Sequence, residues 1–254
     1  MSLEALKTKY DLNIMEKESV TSTNTELIEM AKNGAKEGTV LIATEQTAGK
    51  GRTGKSFYSP KNSGLYLSIL LRPDFSPEDA LFLTTMAAVA TAKAIESVSE
   101  KEAKIKWVND IYVDKKKVCG ILTESALSPD NEKLDYAVVG IGINLCPPEG
   151  GFPEDIKKIA TTVFDENCDS NERKDLTNAL LDFFMNYYEN FKNNSHMEEY
   201  INRSNILGDI IILNKGNMKM RVKAIDIDSK CRLKIEDEYG NTSLLSYGEV
   251  SIDI

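Results

Sequence analysis

The chain has 254 residues, and its 40 acidic and 31 basic side chains give a formal net charge of −9 at pH 7. A chain of this length can form one large domain together with a small one. The negative charge argues against general nucleic-acid binding, and the apolar and charged fractions are ordinary for a soluble globular protein.

The cysteines, the single histidine and the N-terminal sequence indicate the redox compartment, the metal content and the location to expect for this protein. The four cysteines, Cys119, Cys146, Cys168 and Cys231, are dispersed without a C-x-x-C pair, and we expect free thiols in a reducing cytosol. The single histidine, His196, lies in a polar segment and is predicted to be exposed, so we expect no metal site built from protein ligands. The N-terminus lacks a signal-peptide core and no apolar run approaches a membrane span, which predicts a cytoplasmic protein without a membrane partner.

Helices and strands are mixed through the first 205 residues. Apolar periodicity and capping signals predict helices at residues 3–9, from 23 to about 33, from 76 to about 98, at 176–191 and at 196–203. The predicted strands are residues 14–20, 39–44, 65–71, 104–108, 111–113, 118–125 and 136–145. Thr23 and Glu26 have the spacing of a capping box. We therefore predict an α/β (α+β) catalytic domain with a mixed sheet over residues 1–205.

From about residue 207 the pattern changes to short strands. They are predicted at residues 209–213, 218–227, 232–236, 242–246 and 249–252, with turns at 215–217, 228–229 and 239–241. This spacing is typical of a small antiparallel β-barrel, and we predict a second domain over residues 206–254.

A glycine-rich loop follows the predicted strand at residues 39–44. Residues 46–60 read QTAGKGRTGKSFYSP, and no Asp or Glu occurs from residue 46 to residue 73. The glycines and cations of this glycine-rich loop are Gly49, Lys50, Gly51, Arg52, Gly54 and Lys55. Glycine lets backbone N–H groups approach an anion closely, and the cations supply charge, so the loop predicts a phosphate site.

The same residues allow two other interpretations. Residues 49–56 satisfy the P-loop pattern G-x-x-x-x-G-K-[ST], which requires a strand before it and a helix beginning at its Lys-Ser. Residues 57–64 contain Pro60 and Gly64 and have no helical period, which disfavours a P-loop nucleotide hydrolase. A solvated basic turn is the common structural interpretation of such a stretch taken alone.

Five segments in register make the chain resemble the biotin protein ligases, or biotin–[acetyl-CoA-carboxylase] ligases. The family's loop, G-R-G-R-x-G-R followed by aromatic-x-S-P, stands here as GKGRTGK at residues 49–55 and FYSP at 57–60. The other segments are STN at 22–24, KWVND at 106–110, KVCGILTE at 117–124 and GIGIN at 140–144. The resemblance covers roughly residue 14 to the C-terminus. Since only about twenty residues precede Ser22, we expect a form without the N-terminal DNA-binding domain of some members.

The resemblance implies a fold and a two-step reaction. The fold is a catalytic α/β domain followed by a small β-barrel. The carboxylate of biotin attacks the α-phosphorus of ATP to give biotinyl-5′-AMP and pyrophosphate, and a lysine of a biotin carboxyl carrier protein or domain then takes the biotinyl group. Mg²⁺ is expected with the phosphates of ATP. Neither step needs a protein nucleophile, so the chain must supply positioning and neutralisation of negative charge.

The resemblance also implies the site residues. Lys106 is the first-choice catalytic residue, holding the biotin carboxylate beside the α-phosphate, and Arg52 is the second because a guanidinium binds phosphate bidentately. The residues expected to bind biotin are Ser22, Thr23, Asn24, Gln46, Lys50, Gly51, Arg52, Lys106 and Gly120. The residues expected to bind ATP or the adenylate are Gly49, Lys50, Arg52, Lys55, Phe57 and Asn144. The structural alternatives are helix capping for residues 22–24, a surface lysine at Lys106 and a core position for Trp107.

The chain departs from the family pattern at several positions. Lys50 stands for arginine, Thr53 for a frequent basic residue, Phe57 for tryptophan, Val108 for proline and Cys119 for a small residue. Two further functions stay open, a lipoate or octanoate ligase or transferase of the same fold and a non-catalytic biotin-binding module. We expect a monomer or homodimer without a nucleic-acid partner.

Overall fold

A seven-stranded mixed sheet forms the first part of the chain. Its strands are β1 (Asn13–Val20), β2 (Thr39–Gln46), β3 (Gly64–Leu71), β4 (Lys104–Lys106), β5 (Asp110–Val113), β6 (Lys116–Leu127) and β7 (Leu134–Asn144). They lie in the order β1-β2-β3-β7-β6-β5-β4, with β1 and β2 parallel and all other neighbours antiparallel. The computed structural model describes residues 6–74, 76–130, 132–166, 168–215, 218–246 and 249–252. The predicted mixed α/β class is confirmed.

Helices cover both faces of this sheet, because successive strand residues point to opposite sides. On one face, Leu27 of α1 (Thr23–Lys32) packs in a cluster with Leu70 of β3 and Val138 of β7. On the other face, α2 (Ala80–Val98) and α3 (Ser170–Glu189) pack in the main core with odd-numbered residues of β3 such as Leu67 and Ile69. The short helix α4 (Met197–Asn202) contacts α2. The predicted helix at residues 3–9 is only partly described, and residues 6–9 are not helical.

The helix α2 is the most apolar of the long helices in the described chain. With the turn before it, residues 77–98 are long and apolar enough to cross a membrane by length and composition. The expectation that no apolar run approaches a membrane span is therefore wrong. Most of this segment is buried inside the fold, so α2 is a core helix.

The C-terminal part forms a second sheet. Its strands are β8 (Ile210–Lys215), β9 (Met218–Ile227), β10 (Leu233–Glu236), β11 (Thr242–Leu245) and β12 (Glu249–Ile252), in the order β11-β10-β9-β8-β12. All neighbours are antiparallel, which confirms the predicted antiparallel sheet. Among the described residues β11 and β12 are the two edges, so closure into a barrel stays a prediction. The predicted turn at residues 215–217 falls partly outside the described residues.

The prediction of a surface histidine is wrong. His196 is only 1% exposed, its Nε2 lies 3.0 Å from Thr85 Oγ1, and its ring meets Phe82 and Tyr187 edge-on. Burial lowers the pKa of His196 to about 4. The polar neighbours in sequence were misleading because the start of α4 turns His196 and Met197 inward while residues 192–195 stay exposed.

The prediction of four free thiols is wrong for two of them. Cys146, just beyond β7, and Cys168, just before α3, form a disulfide with their Cα atoms 5.8 Å apart. Cys119 and Cys231 are free and buried, and burial raises the pKa of both thiols, that of Cys231 to about 12. The pair could not be read from spacing, because tertiary structure brings together residues that are 22 positions apart.

Candidate active site

The glycine-rich loop closes on itself as a short hairpin. Lys50 and Ser56 form a bridge, the Gly51 N–H donates to the Lys55 carbonyl at 2.7 Å, and the Phe57 N–H donates to the Gly49 carbonyl at 2.9 Å. A side chain at Gly49 would bring its Cβ within 2.6 Å of Ser59 Oγ, so this close approach requires glycine. Residues 57–63 are not helical, so the context that a P-loop requires is missing.

An inner cavity opens on the face of the sheet that carries α1. Its lining residues are Ser22, Thr23, Asn24, Gln46, Lys50, Phe57, Gly120, Leu122, Gly140, Ile141 and Gly142. Six of the residues predicted to bind biotin therefore meet here, although they come from α1, β2, the glycine-rich loop and β6. The remaining volume is about 20 Å³, little more than one water needs.

Hydrogen bonds fix the polar side chains of the inner cavity. Gln46 Oε1 accepts from the N–H and the hydroxyl of Thr23 at 2.9 and 3.1 Å, and Gln46 Nε2 donates to Ser59 Oγ at 3.0 Å. Asn24 Nδ2 donates to the Leu122 carbonyl and to Glu124, and Asn24 Oδ1 accepts from Ser68 Oγ at 2.6 Å. These bonds present a fixed set of neutral donors and acceptors to a ligand.

The capping box predicted at Thr23 and Glu26 is wrong. The N-cap of α1 is Ser22, whose side chain makes no capping bond, and Glu26 pairs with Lys17 outside the cavity. The Ser-Thr-Asn segment therefore starts α1 without a capping hydrogen bond from the N-cap side chain. Thr23 is committed to Gln46 instead, so the structural alternative of simple capping does not describe these residues.

A larger outer cavity of about 250 Å³ adjoins the inner one. Its lining residues are Lys50, Gly51, Arg52, Lys55, Ser56, Phe57, Lys106, Trp107, Asn109, Asp110, Lys117, Gly120, Ile121, Leu122 and Asn214. Five of these side chains are basic and one is acidic, in a chain whose net charge is −9. This local excess of positive charge suits a ligand with several negative charges. Asn214 comes from β8, so the C-terminal sheet contributes to the wall.

Phe57 lies between the two cavities and lines both of them. A Cβ added at Gly142 would lie 2.6 Å from its ring, and one added at Gly120 would lie 3.3 Å from it. The ring can rest on the sheet only because both positions are glycine. Since the inner cavity is so small in this arrangement, a bicyclic ligand requires the Phe57 ring to rotate away.

Two of the lysines that line the outer cavity, Lys106 and Lys117, have different surroundings. The Lys106 ammonium lies 5.8 Å from the centre of the Tyr112 ring. The Lys117 ammonium lies 2.7 Å from Asp110 Oδ1 and 3.2 Å from the Cβ position of Gly120, the glycine shared by both cavities. Sequence reasoning missed Lys117. Its place at the start of the quoted segment KVCGILTE, three residues before Gly120, was the available signal.

Other predicted residues lie at the edge of the site or outside it. Asn144 is 9% exposed and outside both cavities, where its Nδ2 donates to the Thr161 carbonyl at 3.1 Å. Gly49 forms the base of the glycine-rich loop rather than a cavity wall. Trp107 is 3% exposed and lines the outer cavity, and its Nε1 donates to the Cys231 carbonyl at 2.9 Å. Both interpretations of Trp107, as core and as lining, therefore hold.

No group of three His, Cys, Asp or Glu side chains within the described residues could hold a metal ion. Asp110, the one carboxylate among the described residues that line the outer cavity, is paired with Lys117. A divalent cation arriving with a polyphosphate would therefore keep most of its ligands from the phosphates and water.

Known proteins are similar to this chain in sequence and in architecture. The model of the biotin/lipoate A/B protein ligase family matches residues 16–144. The bifunctional ligase/repressor BirA of Bacillus subtilis is 32% identical over 235 residues, which cover 89% of this chain and 70% of that protein. The biotin--[acetyl-CoA-carboxylase] ligase of Mycobacterium tuberculosis is 29% identical over 237 residues, which cover 90% and 85% of the two chains. The solved structure of biotin protein ligase from Aquifex aeolicus in complex with biotin and ATP has a TM-score of 0.74 at 30% identity, and the match covers 95% of this chain and 98% of that one. Since the family match spans about half of the residues and the similarity to its members extends over most of the rest, this chain belongs to the biotin/lipoate A/B protein ligase family.

Proposed function

We propose that this protein is a biotin–[acetyl-CoA-carboxylase] ligase, which forms biotinyl-5′-AMP from biotin and ATP and transfers the biotinyl group to a lysine of a biotin carboxyl carrier protein or domain. One observation carries the proposal. A small cavity lined mainly by neutral hydrogen-bonding groups meets a wider basic cavity at Gly120. The first suits an uncharged cyclic urea, the second suits a triphosphate, and their junction is where a carboxylate and an α-phosphate must meet.

The inner cavity is proposed to hold the head group of biotin. Thr23 and Gln46 already bond to each other, and Asn24 is fixed by β6, so these side chains can orient a ureido ring without reorganising. Ser22 and the backbone of Gly120 complete this set. The Phe57 ring, displaced from Gly142, would then cover the ligand and exclude water.

The outer cavity is proposed to hold the phosphates and the reacting carboxylate. Lys117 stands nearest the junction at Gly120, so its ammonium is well placed to hold the carboxylate beside the α-phosphate. Lys106, the residue favoured from the sequence, lies in the same cavity and is proposed to neutralise phosphate charge together with Arg52, Lys50 and Lys55. Mg²⁺ bound to ATP would add to this neutralisation.

In each of the two proposed steps, one bond forms and one bond breaks. A carboxylate oxygen of biotin forms a bond to the α-phosphorus, and the bond from that phosphorus to the bridging oxygen breaks as pyrophosphate leaves with the electron pair. The neutral amine of the acceptor lysine then attacks the carbonyl carbon of the anhydride, AMP leaves, and the nitrogen loses its extra proton to water. The chain contributes no covalent bond in either step.

The remaining features of the proposal concern organisation. The similarity supports a catalytic domain over residues 1–205 and a small C-terminal β-barrel over residues 206–254, with the antiparallel order β11-β10-β9-β8-β12 as the basis for closure. Asn144 is proposed to contact the nucleotide after a local shift. We propose that the protein acts in the cytoplasm as a monomer or homodimer, without a nucleic-acid or membrane partner.

The test is release of pyrophosphate from ATP, measured with biotin, with lipoate or octanoate, and with neither. Wild-type protein should depend on biotin, and the Lys117→Ala and Lys106→Ala variants should each lose roughly 10²-fold or more in rate. Lys192→Ala, at an exposed lysine outside both cavities, is the matched control. Pyrophosphate release with lipoate or octanoate but not with biotin would show a lipoate or octanoate ligase or transferase of the same fold. Binding of biotin without pyrophosphate release would show a non-catalytic biotin-binding module. Near-normal turnover by one lysine variant would remove that lysine from its role.

A further inference from the structure

Asn109 joins three parts of the candidate site through one amide side chain. Its Oδ1 accepts from Arg52 Nη1 of the glycine-rich loop at 3.0 Å. Its Nδ2 donates to Asp110 Oδ1 at 3.1 Å and to the Ile121 carbonyl of β6 at 3.0 Å. The Asn109 carbonyl in turn accepts from the Ile121 N–H at 2.9 Å, so both the backbone and the side chain are tied to β6.

We propose that Asn109 is a positioning residue that holds Arg52 inside the outer cavity before the ligands bind. The proposal rests on the proposed function and adds a residue to it that does not itself touch substrate. Its effect passes through Arg52, while its bond to Asp110, the partner of Lys117, holds the amide in place.

The argument begins with the valence of the amide. An asparagine side chain has two N–H donors and one carbonyl oxygen. Here both donors are used, on Asp110 and Ile121, and this use fixes the orientation of the amide. The oxygen must then face the glycine-rich loop, where it meets a guanidinium. A guanidinium has five N–H donors in a planar fork, so the bond to Asn109 can persist while other N–H groups bind a phosphate.

The bond to Asn109 connects the glycine-rich loop with the sheet. It crosses 57 positions of sequence and joins the loop to the segment between β4 and β5. The hydrogen bonds within the hairpin, by contrast, join residues of the loop to one another. Loss of the bond to Asn109 would leave more of the ordering of Arg52 to the moment of binding, which costs affinity for the adenylate.

Two substitutions separate this role from general support of the fold. Asn109→Ala removes the acceptor for Arg52 together with both donors. Asn109→Asp keeps an acceptor for Arg52, now charged, but loses the donors to Ile121 and Asp110. Loss of Arg52 placement should therefore occur in the alanine variant and be rescued in the aspartate variant, because an ion pair with Arg52 takes over the orienting role of the lost donors. Asn193→Ala, at an exposed asparagine outside the site, is the control.

The first readout needs no ligand. Trypsin should cleave the ligand-free Asn109→Ala protein after Lys50, Arg52 and Lys55 about tenfold faster than wild type, since a hydrogen bond to a charged group has been lost. Asn109→Asp should stay near the wild-type rate. Equal cleavage of the alanine variant and wild type, or equally fast cleavage of both variants, overturns the proposal. If Asn109→Ala does not fold, the aspartate variant alone is the test, and tryptic cleavage of that variant faster than wild type overturns the proposal.

The second readout uses the reaction. With biotin, ATP and serum albumin, Asn109→Ala should label albumin about tenfold more than wild type, because loosely held adenylate escapes, and Asn109→Asp should not. Combining Asn109→Ala with Arg52→Gly should add nothing to the labelling by Arg52→Gly alone, since both remove one interaction. Multiplied effects would mean that Asn109 acts elsewhere. If wild type releases no pyrophosphate from biotin and ATP, the proposed function is wrong. If wild type turns over normally but the effects of Asn109→Ala and Arg52→Gly multiply in the double variant, only this inference is wrong.

Discussion

Gly140→Ala should damage the inner cavity through a single steric contact. Gly140 lies on β7 opposite Ser68 of β3, and an added Cβ would lie 2.8 Å from Asn24 Cγ, closer than Cβ atoms approach other heavy atoms. Asn24 is 3% exposed, and three hydrogen bonds hold it, to Leu122, Glu124 and Ser68. The β-strand cannot retreat because β3 and β6 flank it, so Asn24 must give way.

The cost follows from those bonds. Three hydrogen bonds at about 1 kcal/mol each amount to about 3 kcal/mol of folding free energy. For a protein of this length each kcal/mol lowers Tm by roughly 2–4 °C, so thermal unfolding should shift down by roughly 6–12 °C. If the displaced Asn24 also fails to meet the ligand, affinity for biotin should fall about 100-fold.

Two comparisons make the reasoning refutable. Gly142→Ala, two residues along the same face of β7, meets the Phe57 ring, which can rotate, and should lower Tm much less. Asn24→Ser removes the same three hydrogen bonds, so adding it to Gly140→Ala should lower Tm little further, although on its own it should lower Tm about as much as Gly140→Ala does. Calorimetry measures Tm, and isothermal titration measures the affinity for biotin. A Gly140→Ala protein that melts with wild type, or a second full loss of Tm when Asn24→Ser is added, would refute the steric argument.

Three more outcomes are expected. Arg52→Gly should leave pyrophosphate release partly intact yet raise biotin labelling of serum albumin roughly 10–100-fold, the equivalent of one or two charge-assisted hydrogen bonds; unlabelled albumin with a normally biotinylated acceptor would transfer the role to Lys50 or Lys55. Biotin plus ATP should slow tryptic cleavage of the glycine-rich loop, because ligands order it further, and an unchanged rate would mean that the loop does not close. Burial lowers the pKa of His196 from 6.5 to about 4 in the folded protein. Between these two pH values the unfolded chain therefore binds a proton that the folded protein does not bind. The contribution of His196 to stability is complete above pH 6.5, and the free energy of unfolding should decline by about 3 kcal/mol as pH falls toward 4. Denaturant titrations of wild type and His196→Gln at several pH values should show this slope only in wild type.

Local chemistry made some of the site predictable. Glycine next to cations without nearby carboxylates indicates an anion-binding loop from sequence alone, because both properties are carried by consecutive residues. The apolar run of β3 and the start of α1 are also local signals, and Ser22 to Asn24 could be placed at a helix N-terminus without knowledge of the fold. These segments lie where the sequence predicted them.

Other features of the site depend on which helices and strands pack together, and the periodicity of the sequence does not predict this packing. The ion pair of Lys117 with Asp110 follows from the register of β5 on β6, in which Asp110 lies opposite Gly120. His196 is buried because α4 packs on α2, although its own neighbours in sequence are polar. The bond from Arg52 to Asn109 joins residues that lie 57 positions apart in the sequence.

The distribution of charge links the architecture to the proposed chemistry. Both reactants of the first step are anions, so bringing them together is opposed by their mutual repulsion, and the chain as a whole, at −9, would add to it. Within the described part of the chain, five cations and a single paired carboxylate line one cavity, while the neighbouring cavity is lined mainly by neutral groups. The glycines at 120 and 142 then let the Phe57 ring lie flush on the sheet between them. A reactive anhydride formed at that junction would be separated from water by an aromatic ring and from bulk solvent by a basic loop, which is the protection that a two-step transfer through a hydrolysable intermediate requires.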